Sequence, residues 1–175
     1  MTARPSLATK ATAALELLGE YPGVFNMHLL PDVLLVNWYG LSTLQSTPHF
    51  EALCAKCSQR FAQKPLSCVQ LLTARISRLP DAETRDELTR INQTYDSMIA
   101  CCAVLIPVQG FVGSAVRGLV TAMSLKTRRT HATLKIVGTP ESTVEWLVPA
   151  HHAATDREID PQPLLAALHD LVAQH

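Results

Sequence analysis

The segment from Ile99 to Pro107 constrains the fold of this chain more than any other, because almost every residue in it is apolar. A run without alternation is typical of a central β-strand that is covered on both faces, as the strands of parallel sheets usually are. Elsewhere in the chain, strand-like apolar runs alternate with helical patterns. This alternation predicts right-handed crossovers, a mixed but largely parallel sheet, and a single α/β domain.

The predicted elements follow the order β-β-α-β-α-β-α-β-α, with an added terminal helix. Two apolar runs at Val24–Leu30 and Val33–Tyr39 are separated by Pro31 and Asp32 and predict a β-hairpin at one edge of the sheet. The later predicted elements are a helix capped by Thr47 and stopped by Pro65, a strand at 67–72, a helix capped by Asp81, the strand at 99–107, a helix at 111–124, a strand at 133–137, a helix from 138 to about 148, and a helix opened by Asp160 and Pro161.

The predicted domain covers residues 22–148 and is flanked by two appendages. Residues 1–21 carry only a weak helical pattern and are expected to form an arm or a docked helix. Residues 149–175 are expected to form a polar linker and an amphipathic helix, with Leu164 and Leu168 on its inward side. That helix either covers the sheet or forms an interface with a partner.

Composition excludes several classes of function. The 175 residues include 15 Lys and Arg and 15 Asp and Glu, so the formal net charge is zero. Nucleic-acid binders need an excess of cations to neutralise phosphates, so nucleic acid is not an expected partner. The longest apolar run, Met98–Val108, is shorter than the roughly 20 residues that a membrane span needs, and residues 1–20 lack a signal-peptide core. We therefore expect a cytoplasmic protein without a membrane span.

The cysteines are expected to be reduced thiols, because five is an odd number and leaves no complete set of disulfides within the chain. Cys54 and Cys57 form a CxxC motif, which supports thiol–disulfide exchange when it lies at a helix N-terminus. Here the motif lies well inside a predicted helix and shares the apolar stripe of Phe50. Core packing is the favoured interpretation, and a thiol redox protein is the alternative.

The sequence shows no pattern typical of a metal site, a cofactor site or a catalytic centre. Cys54 and Cys57 lack further ligands at a spacing that zinc requires. His151 and His152 lie near Asp156 in the predicted linker, where a solvated loop is favoured over a surface metal site. The histidines match neither an HExxH nor a Ser-His-Asp signature. We therefore expect a protein that is not an enzyme and needs no cofactor.

The turn that contains Gly110, Gly113 and Ser114 joins the predicted central strand to the next helix. Glycines at such a turn allow backbone N–H groups to meet an anion at the helix N-terminus. The turn lacks the Lys-Ser/Thr pair of a P-loop and the third glycine of a dinucleotide-binding motif. Close packing of the helix on the sheet is favoured. The alternative is a sensor that binds a small molecule, nucleotide or lipid at this strand end.

A basic cluster at Lys126–Arg129 follows the predicted third helix, where cations complement the helix dipole. In a chain of zero net charge, this cluster indicates a helix end or a protein interface. Two more arginines lie in the loop after the strand at 67–72. The candidate contacts with a partner protein are Arg75, Arg78, Arg117, Arg128 and Arg129, together with Leu164 and Leu168 of the terminal helix.

The predicted element order resembles the STAS fold of bacterial anti-sigma-factor antagonists and sulfate-transporter tails. Three segments are similar to bacterial STAS/SEC14-like proteins, many of them from myxobacteria: Val33–Trp38 before Gly40, Phe111–Leu119 containing Arg117, and Glu141–Leu147. The resemblance covers roughly residues 22–148. It implies a small domain without catalysis that binds another protein or a small ligand.

The sequence departs from the STAS pattern at the regulatory position. STAS antagonists are switched by phosphorylation of a Ser or Thr in an Asp-Ser-type motif at the helix start after the third strand. Residues 73–80 replace that motif here and offer only Thr73 and Ser77, without the preceding acid. Partner switching by phosphorylation is therefore not the expected role. The expected role is a regulatory or scaffolding interaction module, and self-association into a homo-oligomer stays open.

Overall fold

The computed structural model describes residues 15–61, 64–73, 80–108 and 132–174, together with seven separate positions between 110 and 121 that have helical backbone. These residues form six strands, four helices and a short 3-10 helix. The strands are β1 Glu16–Tyr21, β2 Phe25–Leu30, β3 Val33–Trp38, β4 Leu66–Leu72, β5 Ile99–Leu105 and β6 Thr133–Val137. The helices are α1 Thr47–Arg60, α2 Ala82–Thr94, α3 Pro140–Thr155 and α4 Pro161–Ala173, and the 3-10 helix Asp96–Met98 precedes β5.

The six strands form one mixed sheet whose spatial order, β1–β2–β3–β4–β5–β6, is also their order in the chain. β1, β2 and β3 are antiparallel neighbours, and β3 to β6 run parallel. The two-residue turn between β2 and β3 permits only an antiparallel pair, whereas parallel neighbours need crossovers such as α1 and α2. The predicted α/β class is confirmed, and the two predicted strands do form a hairpin, but β1 and not this hairpin lies at the edge of the sheet.

The sheet has two covered faces, each with its own hydrophobic cluster. Right-handed crossovers between strands that follow one another in space all lie on the same side, so α1 and α2 cover one face, which we call the first face. The opposite face, the second face, is covered by α3 and α4. β5 lies between both layers, with Cys102 and Val104 in the first cluster and Cys101, Ala103 and Leu105 in the second. The apolar run of β5 is therefore explained, as predicted, by a strand that is covered on both faces.

β1 corrects the prediction for residues 1–21. Residues 16–21 form an edge strand of the sheet and not a helix. Leu18 and Tyr21 pack against the first-face cluster, and Glu16 forms an ion pair of 2.7 Å with Arg60 of α1. Pairing with β2 overrides the weak helical periodicity because it supplies partners for the outer backbone groups of β2. The predicted domain boundary after residue 21 thus separates β1 from the sheet to which it belongs.

α3 corrects the prediction for the C-terminal linker, because the helix passes through Pro149 and ends at Thr155. It begins as predicted, with the Thr139 side chain accepting a hydrogen bond from the Ser142 backbone N–H. Pro149 removes one backbone donor, but the residues beyond it gain burial on the second face. Asp156, the first residue after the helix, has a left-handed φ of 57°. Only residues 156–160 connect α3 to α4.

The other helix starts agree closely with the sequence. Asp81 and Asp160 cap α2 and α4 by accepting hydrogen bonds from backbone N–H groups, at 2.8 and 3.1 Å. In α1, Ser46 and not Thr47 occupies the N-cap position, its side chain makes no capping hydrogen bond, and Thr47 is the first helical residue. Most of the predicted helix at 111–124 and the cluster at 126–129 lie outside the described residues. In the part of the chain that the structure describes, no helix is long and apolar enough to cross a membrane.

Candidate functional site

The carboxyl ends of β3, β4 and β5 meet at one edge of the sheet because these strands run parallel. This edge carries the loop at 39–46, Thr73 directly after β4, and residues 106–108 after β5. We call it the carboxyl-end surface. Of the predicted binding turn after β5, Gly110, Gly113 and Ser114 belong to the described residues. The predicted partner contacts Arg75, Arg78, Arg128 and Arg129 lie outside the described residues.

The loop between β3 and α1 is fixed by its own hydrogen bonds. The Ser46 hydroxyl donates to the Thr43 carbonyl at 2.8 Å and accepts from the Thr43 N–H at 3.1 Å. The Thr47 hydroxyl donates to the Leu44 carbonyl at 3.0 Å. In contrast to the buried Ser46 and Thr47, Leu41 and Leu44 are 37% and 38% exposed. The hydrogen bonds therefore fix the backbone at Thr43 and Leu44, in a loop that leaves the side chains of Leu41 and Leu44 partly exposed.

The base of this loop is anchored on the turn between β1 and β2. The backbone N–H groups of Tyr39 and Gly40 both donate to the Val24 carbonyl at 3.0 Å. A Cβ atom on Gly40 would lie 1.8 Å from the carbonyl oxygen of Gly23, which no side chain tolerates. Glycine at this position thus permits the close approach of two backbone segments, and this approach positions the loop.

The turn after β5 is explained by packing and by backbone conformation. A Cβ atom on Gly113 would lie 1.9 Å from the Val108 carbonyl oxygen, so the helical backbone approaches the end of the strand closely. The Arg117 guanidinium donates to the same oxygen at 3.2 Å. Gly110 has a φ of +77°, which favours glycine. Gly113 is buried, whereas Gly110 and Ser114 are exposed. Ligand binding at this turn stays a prediction.

The CxxC thiols lie in the interior. Cys54 and Cys57 are both buried in the first-face cluster, as the core-packing interpretation predicted. Burial raises the pKa of the Cys54 thiol to about 12, and burial also raises the pKa of Cys57. Thiol–disulfide exchange requires an accessible thiolate, which a lowered pKa provides. The environment of both thiols therefore works against redox chemistry.

The terminal helix α4 lies against the sheet. Leu164 and Leu168, which were predicted as partner contacts, are fully buried in the second-face cluster. The structure thus shows the first of the two interpretations of this helix, in which it covers the sheet. In this conformation neither leucine lies on a surface that a partner can reach.

Sequence reasoning missed a buried polar cluster under α3, formed by Ser67, Cys101 and His151. The Ser67 hydroxyl lies 2.8 Å from Nδ1 of His151 and 3.0 Å from the Cys101 sulfur. Ser67 and Cys101 are neighbours in the register of β4 and β5. His151 was assigned to a solvated linker, but it is four residues beyond the buried Leu147 and continues the inward side of α3. The four-residue spacing between Leu147 and His151 is the one feature of the sequence that indicates a buried His151.

The polar cluster contains the groups of a nucleophilic centre, yet a substrate cannot reach it. Its three residues are all 0% exposed. Burial raises the pKa of Cys101, whereas burial first and then the charge of Arg157 lower the pKa of His151. Both shifts favour the neutral forms. In this conformation the cluster connects α3 to two central strands instead of presenting a reactive atom.

A second connection holds the end of α3 close to the polar cluster. The Arg157 guanidinium forms an ion pair of 2.5 Å with Asp32 in the β2–β3 turn and donates to the Pro65 carbonyl. Both side chains of the ion pair are about three-quarters buried, at 28% and 26% exposure. A partly desolvated, charge-assisted pair of this kind is stronger than a fully exposed one. The end of α3 is therefore attached to both the turn and the start of β4.

In the described residues, no group of three or more His, Cys, Asp or Glu side chains is arranged to hold a metal ion. Comparison of the chain with protein-family models, with curated proteins and with solved structures gave no match.

Proposed function

We propose that this chain is a non-catalytic, STAS-like interaction module of the bacterial cytoplasm, which docks to another protein through the carboxyl-end surface in a regulatory or scaffolding role. The observation that carries the proposal is the loop at 39–46. It exposes Leu41 and Leu44, and its own hydrogen bonds fix the backbone at Thr43 and Leu44. Apolar groups on a backbone that is already fixed lose less conformational freedom on binding, so more of their burial contributes to affinity.

The assignment to a STAS-like module is supported by the segments that resemble that family. Val33–Trp38 is β3, and Gly40 follows it at the base of the exposed loop. Glu141–Leu147 lies in the first half of α3. The mixed sheet with an antiparallel start is compatible with the STAS-like order, and β1 and α4 are additions to it. The buried thiols and the buried polar cluster add support, because neither offers a reactive group to a substrate.

The proposal is tested by replacing Leu41 and Leu44 with Ser in the full chain. Partners are first identified by chemical cross-linking of the native protein in its own cells, and the affinity of each purified partner is then measured by titration calorimetry. If both leucines are buried on docking, their loss weakens binding by a factor on the order of 10 to 100, from the area that each still exposes.

The matched control is the double variant Leu15→Ser and Leu17→Ser. These leucines are 37% and 54% exposed but lie at the start of β1, which is at the opposite end of the sheet. Wild-type affinity is expected for this control. Wild-type affinity in the variant of Leu41 and Leu44, or equal loss in both double variants, contradicts the proposed surface.

A further inference from the structure

The polar cluster gives His151 an unequal environment at its two ring nitrogens. Nδ1 is engaged with the Ser67 hydroxyl at 2.8 Å, whereas Nε2 is buried and has no hydrogen-bond partner among the described residues. A neutral imidazole carries one N–H, but a protonated ring carries two and has no acceptor function left. If Nδ1 donates to Ser67 in the neutral ring, protonation adds a buried donor at Nε2 that has no acceptor. If Nδ1 accepts from Ser67, protonation removes that acceptor, so either tautomer makes a second proton costly in a fully buried position.

The charged groups around His151 do not compensate for a second proton. Arg157 follows α3 and repels a protonated ring, as does the neighbouring His152 when it is charged. Asp32, in the β2–β3 turn, attracts the ring, but its carboxylate is already paired with Arg157 at 2.5 Å. Burial is the largest of these effects and favours the neutral ring.

Among the described residues, the charges that act on the ring are those of Arg157, Asp32 and His152, and none of these lies on β4, β5, β6 or α4. β4 and β5 contribute the neutral Ser67 and Cys101. On β6, Lys135 lies over the Trp146 ring, with its Nζ atom 5.9 Å from the ring centroid. From α4, His169 is paired at 2.9 Å with Glu141, which is at the opposite end of α3.

The backbone hydrogen bonding of α3 is interrupted at Pro149, shortly before His151. Pro149 lacks the N–H that would continue the helical hydrogen bonds, so the last turn, which carries His151, is joined less firmly to the rest of the helix. Residues 156–160 then lead directly into α4, whose inward face rests on the same side of the sheet. A change at His151 is therefore transmitted to both helices.

We infer that His151 is an acid-sensitive latch, whose protonation releases α3 and α4 from the second face while the sheet and the first face stay folded. The apolar side chains of β3, β4 and β5 on the second face then become accessible. This inference is independent of the proposed docking function, since it concerns the second face near the amino end of β4, away from the carboxyl-end surface, and needs no partner.

The test is hydrogen–deuterium exchange measured by mass spectrometry on the full chain at pH 7.5, 6.5 and 5.5, after correction for intrinsic exchange rates. Below about pH 6.5, the equilibrium constant for an opening that takes up one proton increases by up to about tenfold for each pH unit that the pH falls. Peptides from α3 and α4 are expected to lose protection by this factor, and peptides from β2 to β4 are expected to keep theirs.

The His151→Gln variant is expected to show no pH dependence in α3 and α4, because a neutral amide can still bond to Ser67. The matched control is His152→Gln, which changes an exposed neighbour and is expected to behave as the wild type. Equal protection of α3 at pH 7.5 and 5.5 in the wild-type chain overturns the inference even if the variants do not fold. Unchanged pH dependence in His151→Gln overturns it as well, as does simultaneous loss of protection in the sheet.

Discussion

Replacing Leu164 with Ala is the most direct measure of how far α4 belongs to the fold. Leu164 is fully buried in the second-face cluster, whereas the neighbouring Leu165 is only half-buried. The substitution removes apolar atoms from a closed environment and leaves a cavity, which costs about 3 kcal/mol with a range of roughly 2 to 5. A domain of this size has a free energy of unfolding of about 5 to 15 kcal/mol, so the loss is large.

The measurement is urea unfolding followed by far-UV circular dichroism at pH 7.5, with Leu165→Ala as the matched control. We expect the free energy of unfolding to fall by about 3 kcal/mol for Leu164→Ala and by less than about half as much for Leu165→Ala. The transition of the wild type is expected to be single, because α4 shares one cluster with the central strands.

Two results would refute this reasoning. If Leu164→Ala unfolds within about 0.5 kcal/mol of the wild type, the helix does not contribute its buried face to the stability of the domain. If the two substitutions cost the same, the inward direction of Leu164 is wrong. Either result would return α4 to the second interpretation of the sequence, in which the helix serves as an interface.

The remaining predictions concern protonation, close backbone contact and thiol reactivity. The pKa of His151 is lowered in the folded state, so the unfolded chain takes up a proton first as the pH falls. The free energy of unfolding is therefore expected to be highest above about pH 6.5 and to fall by up to about 1.4 kcal/mol for each pH unit below it. Urea unfolding at several pH values will show this dependence, which is expected to be less steep in His151→Gln. Gly40→Ala is expected to lower the thermal midpoint clearly because its Cβ would meet backbone at 1.8 Å, whereas Gly118→Ala, with no atom within 4 Å, is expected to leave it equal or higher. Cys54 and Cys57 are expected to resist iodoacetamide at pH 8 in the folded chain and to react in urea, and rapid alkylation of the folded chain would contradict their buried state.

The parts of the fold that the sequence predicted are those in which local signals determine the structure. The run that begins at Ile99 has no polar side and is short and followed by a proline, which favours a strand with two covered faces. Asp81 and Asp160 satisfy backbone donors within their own first turn, so each marks a helix start without any tertiary information. The two-residue turn at Pro31 and Asp32 required an antiparallel hairpin.

The parts that the sequence did not predict depend on residues that are far apart in the chain. β1 gains its structure from pairing with β2 and from the ion pair between Glu16 and Arg60, which are 44 residues apart. α3 continues through a proline because the sheet covers its inward side. Ser67 and His151 are 84 residues apart, so no local motif connects them. The exposure of Leu41 and Leu44 depends on the path of their loop after β3, which apolar patterning does not register.

The placement of α1 and α2 on the first face, and of the later helices α3 and α4 on the second, has a consequence for synthesis of the chain on the ribosome. All six strands and the first-face helices precede residue 140, so the sheet can pair before α3 and α4 have been translated. During that interval the nascent chain presents the apolar side chains of the second face, among them Val33, Leu35 and Val69, to water. Exposed surface of this kind attracts chaperones and promotes aggregation. A chain interrupted before α3 is therefore expected to precipitate or to be degraded, although it contains every strand of the sheet.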